Sequence, residues 1–130
     1  MTPEDFDKLL SSRIQKINDV LSNKSKEYAF GNDRLFNFKA AARINQNTPQ
    51  ESLWGMATKH LVCVQDLVEG RLYNTEANAN EKIGDLINYL ILLEAVLLEA
   101  RTILKQESVN LQPEAKIKYK YGKCNSSFER

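Results

Sequence analysis

The sequence predicts an all-α fold, a single domain built as a four-helix bundle, and three observations carry that prediction. Apolar residues recur at spacings of three and four over most of residues 1–105, which is the period of helices with one buried face. Strong start signals stand before the periodic stretches, above all Thr2-Pro3 and Thr48-Pro49. The most apolar stretch, Leu86 to Leu98, is 13 residues long and contains Asn88 and Glu94. It is too short and too polar to span a bilayer and reads as a buried central helix.

The first helix is expected over 3–23. Thr2 can cap it, Pro3 fits its first position, and Glu4 and Asp5 suit the positive end of the helix dipole. Phe6, Leu9, Leu10, Ile14, Ile17 and Leu21 then form one apolar face. Residues 27–34 read as a loop in which Gly31 and Asn32 permit a tight turn. Asp33 can cap a short helix over 33–45 carrying Leu35, Phe38, Ala41 and Ala42. Thr48 and Glu51 make a capping box around Pro49 and open a third helix over 49–69, striped by Leu53, Ala57, Leu61, Val64, Leu67 and Val68. Gly70 stops it. Residues 71–78 read as a polar linker, and the last helix is expected over 79–106. Its middle is apolar nearly all round, so three shorter helices cannot cover it. A second copy of the chain, as a homo-oligomer, is expected to complete the bundle. Residues 1–110 are thus the domain and 111–130 a basic tail. Within the tail, Lys116 to Tyr121 alternates with period two, so a short strand and a disordered segment stand level.

Composition narrows the function classes. There are 18 Lys and Arg against 17 Asp and Glu, a net charge of +1. That balance argues against a nucleic-acid binder, which needs a cationic surplus. Cys63 and Cys124 show no disulfide or metal-ligand spacing and are expected to be reduced thiols. The N-terminal residues lack the basic and apolar regions of a signal peptide. The expectation is a cytoplasmic protein without membrane partners.

The chemistry-bearing residues cluster on the last two helices. Glu81, Asp85 and Asn88 fall at i, i+4 and i+7 and share one helix face. Helix three carries Lys59, Asp66 and Glu69 away from its apolar stripe, and antiparallel packing would bring the two polar stripes together. Asp66, Glu69, Glu81 and Asp85 could then hold a hard cation such as Mg²⁺, with substrate phosphates completing its shell. The other reading is that these acids line solvated helix faces. His60, at the edge of the apolar stripe, is either a hydrogen-bonded packing residue or a contact to phosphate or base. Arg34, Lys39 and Lys59 are surface charges or phosphate contacts. Tyr28, Phe30, Phe36, Phe38 and Trp54 are core residues, or in one or two cases platforms for a base.

The segment Glu81-Lys-Ile-Gly-Asp85, followed by a long apolar helix, resembles the second acidic motif of the MazG-like, all-α nucleoside triphosphate pyrophosphohydrolases. The order Lys26-Glu-Tyr28, Asp33-Arg-Leu-Phe-Asn-Phe38, Lys59-His60, Gly84-Asp85 also resembles small phage-encoded proteins of the nucleotide-modification-associated kind. The resemblance covers about residues 5–105. Where MazG-like enzymes carry E-x-x-E on the first acidic helix, this chain has Asp66-Leu-Val-Glu69. In the second motif Glu81 stands four residues before Asp85 rather than three, with Lys82 at the expected place. The resemblance implies a MazG-like bundle and hydrolysis of an NTP or dNTP to monophosphate and pyrophosphate, with Mg²⁺ or Mn²⁺ as cofactor. Glu81 and Asp85 are the implied catalytic pair, joined by Asp66 and Glu69 at the metal. Arg34, Asn37, Lys59, His60 and Asn88 are the candidate substrate contacts. The alternative is a non-catalytic protein holding a nucleotide or signalling nucleotide in the same cleft.

Overall fold

The computed structural model describes residues 1–23 and 31–110, and these form four α-helices and no strand. Helix α1 (Pro3–Asn18) starts where the sequence places it, because the Thr2 hydroxyl oxygen accepts a hydrogen bond from the Asp5 N–H and the Asp5 carboxylate accepts one from the Thr2 N–H. It passes into a π-helical turn at Asp19–Asn23. Helix α2 (Phe36–Asn45) begins three residues later than expected. Asp33 does not cap its first turn but accepts from the Leu35 N–H at 2.9 Å, so the Asp33 carboxylate organises the approach to the helix. Gln46 closes α2 in the left-handed region at φ 54°.

Helix α3 (Pro49–Val68) carries the capping box foreseen for it: Glu51 N–H donates to Thr48 Oγ1 at 3.3 Å and Thr48 N–H to Glu51 Oε2 at 2.8 Å. The Thr48 donors hold the Glu51 carboxyl below its ordinary pKa. Gly70, at φ 74°, ends the helix. Helix α4 (Glu76–Asn110) is longer at both ends than its apolar pattern suggests. Its start lies at Thr75, whose hydroxyl accepts from the Asn78 N–H at 3.1 Å, with Glu76 in the first turn. The expected linker thus contributes the first turn of α4. The alternation at 116–121, Cys124 and the loop aromatics Tyr28 and Phe30 lie outside the described residues.

The core is small and sits where α2, α3 and α4 meet. Leu53 is fully buried, and it packs with Leu35 and Val96 beneath Phe38, Tyr89, Leu92 and Leu93. Helix α3 doubles back along α4: Leu53, near its start, meets the later half of α4 at Val96, while His60 meets the earlier half at Asp85. Lys39 ties α2 into this layer, its ammonium 2.9 Å from Asp33 and 2.8 Å from Glu99 of α4.

Helix α1 behaves differently. It buries no residue, and Phe6, Leu9, Leu10 and Ile14 of its stripe each stay about half exposed. It lies against the first half of α4, and its apolar face looks onto Ala79, Ile83 and Ile87 across a hollow. No described helix is long and apolar enough to cross a membrane.

Candidate functional site

Where α1 crosses α4, the backbone itself is part of the site. Gly84 is buried in the first third of α4, and a Cβ there would fall on Nη1 of Arg13. The missing side chain lets the Arg13 guanidinium lie on the helix and reach the Asn80 carbonyl oxygen, one turn before Gly84, at 3.1 Å. A second nitrogen of Arg13 donates to Asn80 Oδ1 at 3.1 Å, and Lys16 donates to the same oxygen at 3.2 Å. Two cations therefore converge on one neutral amide. Neither has an ion-pair partner among the described residues.

These cations form one wall of a cleft of about 330 Å³, whose other wall is the α4 face of Glu81, Asp85 and Asn88. Ile17 and Val20 of α1 close it from the side. Asn88 is nine-tenths buried, and its Oδ1 accepts no hydrogen bond from any described residue. A buried acceptor left unmatched costs about 1–3 kcal/mol, so a group that supplies a donor or a cation here recovers that cost. Beside the polar cleft, and sharing Arg13, Lys16 and Asn80 with it, lies a hollow of about 590 Å³ between Phe6, Leu9 and Leu10 of α1 and Ala79, Ile83 and Ile87 of α4.

The structure brings together part of the expected site. Glu81, Asp85 and Asn88 share the cleft. His60 reaches it from behind: its Nδ1 stands 3.5 Å from Asp85 Oδ2, and its ring stacks on Tyr89 with centroids 4.7 Å apart. That is the packing role expected of a histidine at the edge of the stripe, combined with a position beside a cleft carboxylate. Asp66 and Glu69 do not join them. Both are engaged by Arg71 just beyond α3, Asp66 at 2.7 Å. Among the described residues no group of three or more His, Cys, Asp or Glu comes together as a metal cage.

The expected phosphate contacts are placed elsewhere as well. Arg34 donates to the Leu21 carbonyl and thereby joins the turn after α1 to the approach to α2. Asn37 is exposed on α2 and Lys59 is exposed on α3, and neither lines the cleft. Lys82 pairs with Glu81 at 2.6 Å, which raises the lysine pKa.

Arg13, Lys16 and Asn80 are the residues that periodicity missed. On sequence the two cations are ordinary polar positions beside an apolar stripe. The available signal was Gly84, since a glycine inside a long helix marks a close approach or a functional demand.

The donor set suits a hard divalent cation in part. Glu81 and Asp85 stand one turn apart on the same wall, with the unmatched Asn88 oxygen one further turn along. Two carboxylates and a carbonyl oxygen are the kind of partial shell that Mg²⁺ shares with phosphate oxygens and water. Comparison of the chain with known protein families, with curated proteins and with solved structures gives no match.

Proposed function

We propose that this protein binds a nucleoside triphosphate in the α1–α4 cleft together with Mg²⁺, and that it hydrolyses the nucleotide between its α and β phosphates. The observation that carries the proposal is the pairing of walls in one cleft: Arg13 and Lys16 without carboxylate partners on one side, Glu81, Asp85 and the unmatched Asn88 on the other. Arg13 and Lys16 supply five or more N–H donors to phosphate oxygens and offset the charge that develops on them. The adjoining apolar hollow takes the base and sugar, with Phe6 at its wall. When bound, Mg²⁺ would be held by Glu81 and Asp85 and would polarise the phosphates. Asp85, with His60 behind it, takes the proton from the attacking water as the α–β phosphoanhydride bond breaks.

The resemblance to MazG-like and phage nucleotide-modification-associated proteins supports this reading. It extends the proposal to a cytoplasmic, phage-encoded, self-associating protein. A second reading, binding of a nucleotide or signalling nucleotide without turnover, is favoured by one observation. Arg71 engages Asp66 and Glu69, which leaves two carboxylates in the cleft where the resemblance calls for four.

Two measurements separate the readings. Calorimetric titration of NTPs and dNTPs with and without Mg²⁺ tests the site, and chromatography of the same mixtures tests turnover. Monophosphate and pyrophosphate formed by wild type and lost in Asp85→Asn establish hydrolysis. Tight binding without product, weakened at least tenfold by Arg13→Met, establishes the binding reading. If no nucleotide binds, the proposal is wrong.

A further inference from the structure

The face of α4 that receives α1 continues past the point where α1 stops. At 100° per residue, Ile83 and Ile87 lie on the same side of the helix as Leu90, Leu97 and Leu104. The first two line the hollow beneath α1, Ile83 still 41% exposed there, and Leu90, Leu97 and Leu104 beyond it are 46, 39 and 62% exposed. Ile91 and Leu98 flank the same strip, 39 and 60% exposed. A contiguous apolar strip of this length is rare on a monomer. Two charges sit in its middle, Glu94 and Arg101, both exposed and neither in an ion pair among the described residues. They stand about 10.5 Å apart along the helix, too far to pair with each other.

We propose that this half of α4 packs antiparallel against the same half of a second copy, about a two-fold axis passing between Leu97 and Leu98. The strip has the symmetry that such an interface requires. Reversed about that point, Glu94 falls opposite the partner's Arg101, and Arg101 opposite the partner's Glu94. Leu97 falls opposite the partner's Leu98, and Ile91 opposite the partner's Leu104. Leu90 falls opposite the partner's Lys105, while the other large apolar side chains of the central strip meet one another and both central charges meet their opposites. A parallel pairing would set Glu94 against Glu94 and Arg101 against Arg101. The charges therefore select the antiparallel arrangement. A different protein could also cover an apolar strip, but self-complementarity of its two central charges under reversal identifies the occupant as the chain itself.

Charge exchange tests the proposal. Sedimentation equilibrium of the full chain at micromolar concentration should give twice the 14.9 kDa of one chain. Glu94→Arg alone sets arginine against arginine twice, and Arg101→Glu alone sets glutamate against glutamate twice. Each should raise the dimer dissociation constant on the order of 100-fold. The double variant Glu94→Arg/Arg101→Glu restores both pairs and should return to within about tenfold of wild type. Mixed in equal amounts, the two single variants should form a heterodimer. All three variants change exposed positions, and circular dichroism should show unchanged helix content. A monomeric wild type, single variants that dimerise as wild type does, or a double variant that stays monomeric would each overturn the interface.

Discussion

Gly84 and Asn88 are both poor choices for helix stability. Glycine in a helix interior is about 1 kcal/mol less favourable than alanine. Here it leaves room for the end of a flexible arginine, not for a rigid neighbour. Gly84→Ala should therefore leave the melting temperature unchanged or raise it slightly, because Arg13 can swing away. The same swing removes both Arg13 contacts to Asn80, so nucleotide affinity should fall about tenfold, the worth of one charge-assisted contact. Calorimetry alongside thermal melts reads the two effects separately. Asn88→Leu makes the complementary case: it removes an unmatched buried oxygen at similar volume, so it should stabilise the fold by about 1 kcal/mol while weakening ligand binding. If Asn88→Leu binds nucleotide as wild type does, Asn88 is not a ligand contact. Stability gained at the cost of binding is the signature of a site residue.

At the scale of elements, the helix boundaries with local chemistry were legible in the sequence. Thr2 and Thr48 mark their helices to the residue, because cap, proline and acid all lie within four positions. Thr48→Ala removes the side-chain half of its capping box, leaving the backbone N–H bonded to Glu51, and should cost about 1 kcal/mol, roughly 3–5 °C in a thermal melt. The start of α4 was harder to read, since Glu76, Ala77 and Asn78 carry no apolar periodicity and Thr75 is a cap without proline or a three-residue acid. In the site, Glu81, Asp85 and Asn88 were legible because intrahelical spacing fixes them on one face. The partners across helices were not. Whether Asp66 meets Asp85 or Arg71 depends on where the chain turns after Gly70, and no period within a helix reports that.

Lys39 shows an element held by charge, and its pH dependence can be worked out. The Lys39 hydrogen bond, followed by that from Leu35, depresses the Asp33 pKa. Its contribution is complete above the ordinary aspartate value and is lost as pH falls through the depressed one. Glu99 first, then Asp33, raise the Lys39 pKa, so its contribution is complete below the ordinary lysine value and lost as pH rises through the raised one. The Asp33–Lys39 pair therefore operates across the neutral range and fades at both extremes. Lys39→Met should melt a few degrees below wild type at pH 7, and the gap should narrow as pH falls through the depressed Asp33 value.

On the scale of the whole molecule, the protein has a firm part and a loosely held one. Helices α2, α3 and α4 share the buried cluster, whereas α1 contributes nothing to it and meets α4 through Arg13, Lys16 and a half-covered stripe. The free energy for opening a local unit follows its buried apolar contacts, so α1 should open far more readily than α3 or α4. Native-state hydrogen exchange should show the amides of residues 6–18 exchanging well before those of 52–66. Saturating nucleotide should slow the first set more than the second, because the cleft has α1 as one of its walls.

That division makes affinity a matter of population as well as contact. If the ligand requires α1 in place, its apparent dissociation constant equals the intrinsic one divided by the fraction of molecules with α1 docked. Substitutions on α1 that bury more of Ile14 would then tighten binding without touching the ligand, and Ile14→Ser would loosen it in the same way. On the proposed reading the half-exposed stripe acts as a setting for sensitivity: the working concentration of ligand moves with how firmly one helix rests on another, with Arg13, Lys16, Glu81 and Asp85 left as they are.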